Sequence, residues 1–205
     1  MGNDLQVVPV SKTRTSAENT SRAAFMHGEY SLTSQWLISA GLRKATVMGV
    51  ELEASARLAD HWDLHGSFGY TDASYDEFKS DQNNDGILDD VSSNDFINTP
   101  KLNYSIGLGF HQTVGALALE SRLDYTWQDD VEFNTFNDVN RQNAYGLLNG
   151  RVTLSGDDRR WEVAIFGTNL TNQRYASFGI TSEPYRIVYP GAPRLYGLDV
   201  RYRIL

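Results

Sequence analysis

The residues of this chain that could do chemistry are carboxylates, amides and four histidines; cysteine is absent, and with it disulfides and thiol nucleophiles. The densest group is Asp81, Asn83 and Asp85, at positions 1, 3 and 5 of a calcium loop, with Gly86 at the sharp turn, Leu88 at the apolar position and Asp89 beyond. Oxygen ligands at that spacing wrap a hard cation. Position 12, where a bidentate acid belongs, is Ser92. A solvated Asp/Asn/Gly loop is the plainer reading, Ca2+ is the alternative, and no cofactor is required.

Other pairs point less far. His61 and His65 are four residues apart, a span of roughly 13 Å on a strand and too long for one metal ion. Glu51 and Glu53 share a strand face roughly 7 Å apart, a separation that invites a glycosidase reading. Acids of this kind recur on every strand, and no pocket is visible that would tune them. No Ser/His/Asp order, Gly-rich phosphate loop or basic-aromatic stripe is present, so no catalytic residue is expected. The net charge of -8 leaves no basic patch for phosphates and argues against nucleic acid.

Strands must position these groups. Leu102, Tyr104, Ile106, Leu108 and Phe110 fall on one parity, and Asn103, Ser105, Gly107, Gly109 and His111 on the other. That period of two predicts a strand with one apolar face. The same alternation predicts strands at 24–32, 36–42, 46–58, 62–71, 117–128, 145–154, 161–167 and 195–204, about nine in all. Residues 1–21 lack periodicity and read as a tail. The strands are long for an ordinary sheet, and the fold class expected is all-β and antiparallel.

Connections sort by length. Turns near 33, 59, 114 and 157 are short, whereas 72–99, 129–143 and 171–193 are long and polar. Up-and-down barrels of the outer membrane have this asymmetry, and a mean hydropathy of -0.43 suits alternating strands. No run of ~18 to 20 apolar residues is present that would make a transmembrane helix. Trp62, Tyr70, Tyr104, Phe110, Tyr125, Trp127 and Trp161 lie toward strand ends, as an interfacial girdle would. Arg43-Lys44-Ala45 breaks the sorting, being a three-residue link on the long-loop side. With an odd strand count, it points to a stretch missing near Arg43 and Lys44.

Four pieces in order then resemble the C-terminal part of TonB-dependent receptors, the plugged outer-membrane transporters. Gly49-Val50-Glu51-Leu52-Glu53 resembles that family's G-V-E-x-E strand and is followed by the Trp62 to Ala73 strand. Asn98-Thr99-Pro100-Lys101 is similar to its N-x-P-K/R entry, and Asn169-Leu170-Thr171-Asn172-Gln173-Arg174-Tyr175 to its N-L-T/F-D/N-x-x-Y. Gly191-Ala192-Pro193-Arg194 through Tyr202 resembles the terminal G-x-P-R strand, although Ile204 and Leu205 stand where a final aromatic is usual.

The resemblance implies a partial transmembrane barrel over residues 22–205, with the plug domain and roughly the first half of a 22-strand barrel absent. It implies wall and extracellular loops for uptake of a scarce nutrient, such as a ferric siderophore, another metal chelate, a vitamin or an oligosaccharide. Partners would be outer-membrane lipid and the TonB complex, reached through the plug. The location would be the bacterial outer membrane, although Met1-Gly2-Asn3-Asp4-Leu5-Gln6 has neither the basic start nor the apolar core of an export signal. Tyr185, Arg186, Tyr189 and Arg194 are the candidates to touch a ligand. The competing expectation is a soluble β-sandwich binding module with a calcium-stabilised loop.

Overall fold

A computed structural model of the chain describes residues 23–28, 40–81, 87–135, 140–156, 160–182 and 185–204. The expected tail at 1–21 lies outside them, as do Trp36 and Ile38 of one expected strand. In chain order the strands are β1 (Ala23–Gly28), β2 (Ala40–Ala59), β3 (Trp62–Ser80), β4 (Asp89–Asp90), β5 (Leu102–Val114), β6 (Leu117–Gln128), β7 (Val131–Glu132), β8 (Arg141–Gln142), β9 (Tyr145–Gly156), β10 (Trp161–Thr168), β11 (Ala176–Ser182), β12 (Tyr185–Pro190) and β13 (Leu195–Tyr202). Eight of these pair in the order β1, β2, β3, β5, β6, β9, β10, β13, each antiparallel to the next, and β4 is appended to β3. This sheet is the wall.

Residues directly opposed across an antiparallel ladder share a face. One row runs Leu52, Phe68, Tyr104, Trp127, and a second Ala56, Leu64, Leu108, Leu123. The opposite face carries Glu53, Ser67, Ser105, Thr126 in one row and Ser55, His65, Gly107, Asp124 in the next. The alternation in the sequence therefore survives in register from β2 to β6 and on through Val152, Ile165 and Leu198.

The apolar face is uncovered. Leu123 is 46% exposed, Ile165 60%, Leu198 66% and Val200 64%. Left in water, each such side chain forfeits about 1.5 to 3 kcal/mol of burial free energy. A sandwich would lay a second sheet ~10 Å above this face. The only other sheets among the described residues are the small hairpins β7–β8 and β11–β12, so the β-sandwich expectation is wrong. Aromatic contacts bracket the face: Trp62 meets Phe110 at 4.7 Å between ring centroids near one end, and Tyr104 stacks on Trp127 at 5.3 Å near the other. Six residues separate Phe110 from Tyr104 along β5, about 20 Å of strand.

Two-residue turns at Asp60-His61 and Gly115-Ala116 close β2–β3 and β5–β6 at one end of the wall. Gly115 has φ +62°, which only a residue without a Cβ adopts freely. The long connections all leave from the opposite end.

Three expectations need correction. Arg43-Lys44-Ala45 is no connection: it lies inside β2, where Arg43 opposes Phe25 of β1 and Phe78 of β3. Residues 40–42 and 46–58 therefore belong to one strand, and among the described residues the sheet has eight strands in its path with β4 as the ninth. A register shift at Lys44/Ala45 absorbs the irregularity. The polar segment expected from Asp72 begins as strand, since β3 runs to Ser80. The long connections at 129–143 and 171–193 each fold back into a hairpin.

Candidate functional site

The polar face holds its charges in small groups. Arg57 Nε lies 3.4 Å from Asp63 Oδ1 on the neighbouring strand, and His111 Nδ1 lies 3.0 Å from the other carboxylate oxygen. Arg122 Nε reaches both oxygens of Asp124 at 2.9 and 2.8 Å, while its Nη2 stands 2.7 Å from His65 Nε2. The same Nε2 lies 3.1 Å from Asp124 Oδ1, and the ring's tautomer decides whether it accepts from Arg122 or donates to Asp124. The ring is seated over Gly107, where a Cβ would come within 2.1 Å of it. Arg122 directly opposes Arg151 across β6 and β9. Arg151 turns the other way, to Asp199 at 3.0 Å and Glu162 at 3.4 Å, and Arg201 donates to Asp199 at 2.9 Å.

Above the wall the long loops make a layer with cores of their own. Tyr75 and Phe78 are 8% and 1% exposed, with Phe96 stacked on Tyr75 at 4.2 Å and Val91 packed beside them. Val131 and Phe133 form a second buried point, and Phe133 reaches Phe178 of β11. Hydrogen bonds cross between loops. Asn94 donates to the Thr135 carbonyl, and the Asn98 amide to that of Glu132. Asn134 donates to the Thr181 hydroxyl at 3.0 Å, and Gln142 Oε1 accepts from the Ala176 amide at 2.6 Å.

Where this layer meets the wall there is a cavity of about 170 Å³, lined by Thr71, Asp95, Lys101, Asp130, Glu132 and Arg141 among others. Asp95 lies 3.3 Å from Lys101 Nζ, and this hydrogen-bonded pairing holds the ammonium above its usual range. Arg141 pairs with Asp130 and lies 3.5 Å from Glu132. Sequence reading passed over these residues, although Lys101 closes one motif and Asp129-Asp130 ends a strand.

The two most distinctive motifs converge. Asn169, in the left-handed region at φ 50°, is 3% exposed. Its Oδ1 accepts from the Gln173 amide, and its Nδ2 donates to the carbonyls of Gln173 and Ala192. The Tyr175 ring lies over Gly191, and its hydroxyl accepts from the Ala192 amide at 3.2 Å. Leu170 sits over Gly150 and Gly167, where added methyl groups would stand 3.4 and 2.5 Å from it.

The four candidate ligand contacts do not converge. Tyr185, Arg186 and Tyr189 are exposed on β12, with Tyr189 beside Phe178, whereas Arg194 lies over the Tyr196 ring at 5.7 Å. Of the candidate calcium ligands, Asn83 and Asp85 lie outside the described residues. Asp81 and Asp89 stand at the base of that loop, where Asp89 opposes Ser80. Ser92, at the position of the missing acid, donates its hydroxyl to Asp90 at 2.6 Å and its amide at 3.0 Å. Among the described residues no group of three or more His, Cys, Asp or Glu is placed to hold a metal ion. His61 and His65 part company: His61 lies by Phe110 and His111, and His65 by Asp124. Glu51 and Glu53 are exposed on the polar face.

An exposed apolar face, an opposite face of ion pairs and long loops at one end only are what a barrel wall needs between lipid and an aqueous lumen. Comparison with known proteins agrees. No curated protein matches the sequence. Among solved structures, the ferric yersiniabactin uptake receptor of Yersinia pestis is 22% identical with a TM-score of 0.65, over 83% of this chain and 25% of that one. The siderophore receptor PiuA of Acinetobacter baumannii is 17% identical with a TM-score of 0.63, over 88% of this chain and 25% of its own. The ferric preacinetobactin receptor of the same organism is 19% identical with a TM-score of 0.57, over 88% and 25%. The chain thus spans about a quarter of the length of these structures, and the likeness is one of fold. The family described as TonB dependent receptor-like, beta-barrel matches residues 44–172, more than half the chain. This chain belongs to the TonB-dependent receptor β-barrel family, whose members are transport receptors of the outer membrane.

Proposed function

We propose that this chain supplies wall and extracellular loops to an outer-membrane receptor that takes up a scarce nutrient, a ferric siderophore or similar metal chelate. The observation that carries the reading is the sheet with one face for lipid, one ionic face, and a cross-linked loop layer at a single end. That the neighbours are receptors for ferric yersiniabactin, a siderophore and ferric preacinetobactin supports the substrate class. The chain performs no chemical step; binding falls to the loops, and passage requires a plug and the TonB complex. It acts as part of a longer receptor. Tyr185, Arg186 and Tyr189, exposed on β12, are the side chains that would meet a chelate first, and Arg194, beside the Tyr196 ring, is the fourth candidate.

The test is uptake of radio-iron from a panel of ferric chelates by iron-limited cells with the coding region intact or deleted. Loss of uptake from one chelate is the expected result; unchanged uptake from all of them would sink the reading.

A further inference from the structure

We infer that Asn169 is the positioning residue that fixes how the β11–β12 hairpin stands on the wall, and hence how its exposed side chains are presented to a ligand. The ligand clause rests on the transport reading above; the seating of the hairpin does not.

The hairpin leaves the wall after β10 and returns to it before β13, so its attitude depends on the two chain segments at its feet. Asn169 holds both. Its side chain accepts from the Gln173 amide at 2.8 Å on the outgoing foot, and donates to the Gln173 carbonyl at 2.8 Å and the Ala192 carbonyl at 3.1 Å, the latter on the returning foot. Its own amide donates to Asn149 Oδ1 of β9 at 3.0 Å, which ties the knot to the wall. One acceptor and two donors in a single plane are the signature of a carboxamide. Aspartate would turn an acceptor oxygen toward two carbonyls. Glycine would keep the left-handed φ and lose every side-chain bond. Because the site is 3% exposed, water does not readily replace those bonds. Asn172, also left-handed at φ 55°, donates its amide to the Asn169 carbonyl and completes the turn.

The bonds donated by Asn134 to the Thr181 hydroxyl and by the Ala176 amide to Gln142 carry the same attitude sideways into the neighbouring loop. Asn169 thereby sets the seat of a hairpin that is itself bonded to the rest of the layer.

The native chain has no cysteine, so introduced pairs can be spin-labelled uniquely. In the full chain in detergent, one pair, R186C with V200C, reports hairpin against wall, and a second, I165C with L123C, reports wall against wall. In an Asn169→Gly background, the hairpin-to-wall distance distribution should broaden severalfold or shift while the wall pair stays as it was. Asn169→Asp should behave alike, because it keeps the acceptor and loses both donors. A hairpin distribution unchanged by Asn169→Gly would overturn the proposal, since the backbone conformation alone would then suffice. Equal broadening of both pairs would overturn it too, by making Asn169 a general stabiliser. Neither measurement needs a ligand, so failure of the uptake reading would leave this result standing.

Discussion

In the wall, Leu123, Val152, Ile165 and Leu198 stand exposed along one face, while in the loop layer Tyr75, Phe78, Val131 and Phe133 are closed off by their neighbours. The same residue types are disposed oppositely because the two regions meet different solvents. The wall recovers the free energy of its apolar side chains from lipid. The loops must build small aqueous cores, as any soluble domain does. Strand geometry alone does not distinguish the regions, for β3 passes from one to the other without a break.

The comparison can be broken in three ways. Phe78→Ala should cost about 3 to 5 kcal/mol, the usual range for emptying an aromatic core site. The loss should stay local, seen as faster amide hydrogen exchange at 87–96 with exchange in β6 and β9 unchanged. Spread of the effect into the wall would show that the two regions are not separate in stability. Ile165→Lys should cost about 2 to 3 kcal/mol in urea equilibria of the chain folded into lipid vesicles, as a cation does on the lipid face of a barrel. Ile187→Lys, on the hairpin, should change stability by no more than about 0.5 kcal/mol. Equal costs at 165 and 187 would place the hairpin in lipid.

The smallest effect sharpens the contrast from the aqueous side. The Ser92 hydroxyl and then its amide hold the Asp90 carboxyl below its ordinary value of 3.8. The folded pKa is the lower one, so this contribution is present above the unfolded carboxylate's pKa and is lost as pH falls through the folded value. Protection of the Ser92 amide, taken relative to the intrinsic exchange rate at each pH, should therefore fall as the pH is taken from about 5 to below 3. Asp90→Asn should remove that acid dependence; a variant that retains it would assign the effect to another group.

Much of the wall was legible because its two faces meet unlike media, which imposes strict parity on runs such as Leu102 to Phe110. The signal fades where both faces are wet. Arg43, Lys44 and Ala45 looked like a link because no apolar parity marks them, yet the chain stays extended and paired there. The same reason hid the last part of β3 and the hairpins within the long connections. Asn169 was visible as a motif letter, but its work depends on Asn149 and Ala192, contacts that spacing cannot give. The cavity residues Asp95, Lys101, Glu132 and Arg141 come from three separate segments and meet only after the wall has set their spacing.

The ion pairs of the polar face have one more consequence. With the histidines neutral, Arg57 and Asp63 sum to zero, Arg122 and Asp124 sum to zero, and Arg151 and Arg201 balance Asp199 and Glu162. Groups that cancel over a few ångströms project little field beyond a Debye length, about 8 Å at physiological salt. Glu51, Glu53 and Glu120 stand on the same face outside these balanced sets and give it a net negative charge. The cavity where the loop layer meets the wall has the same sign, its Asp95, Asp129, Asp130 and Glu132 outnumbering Lys101 and Arg141.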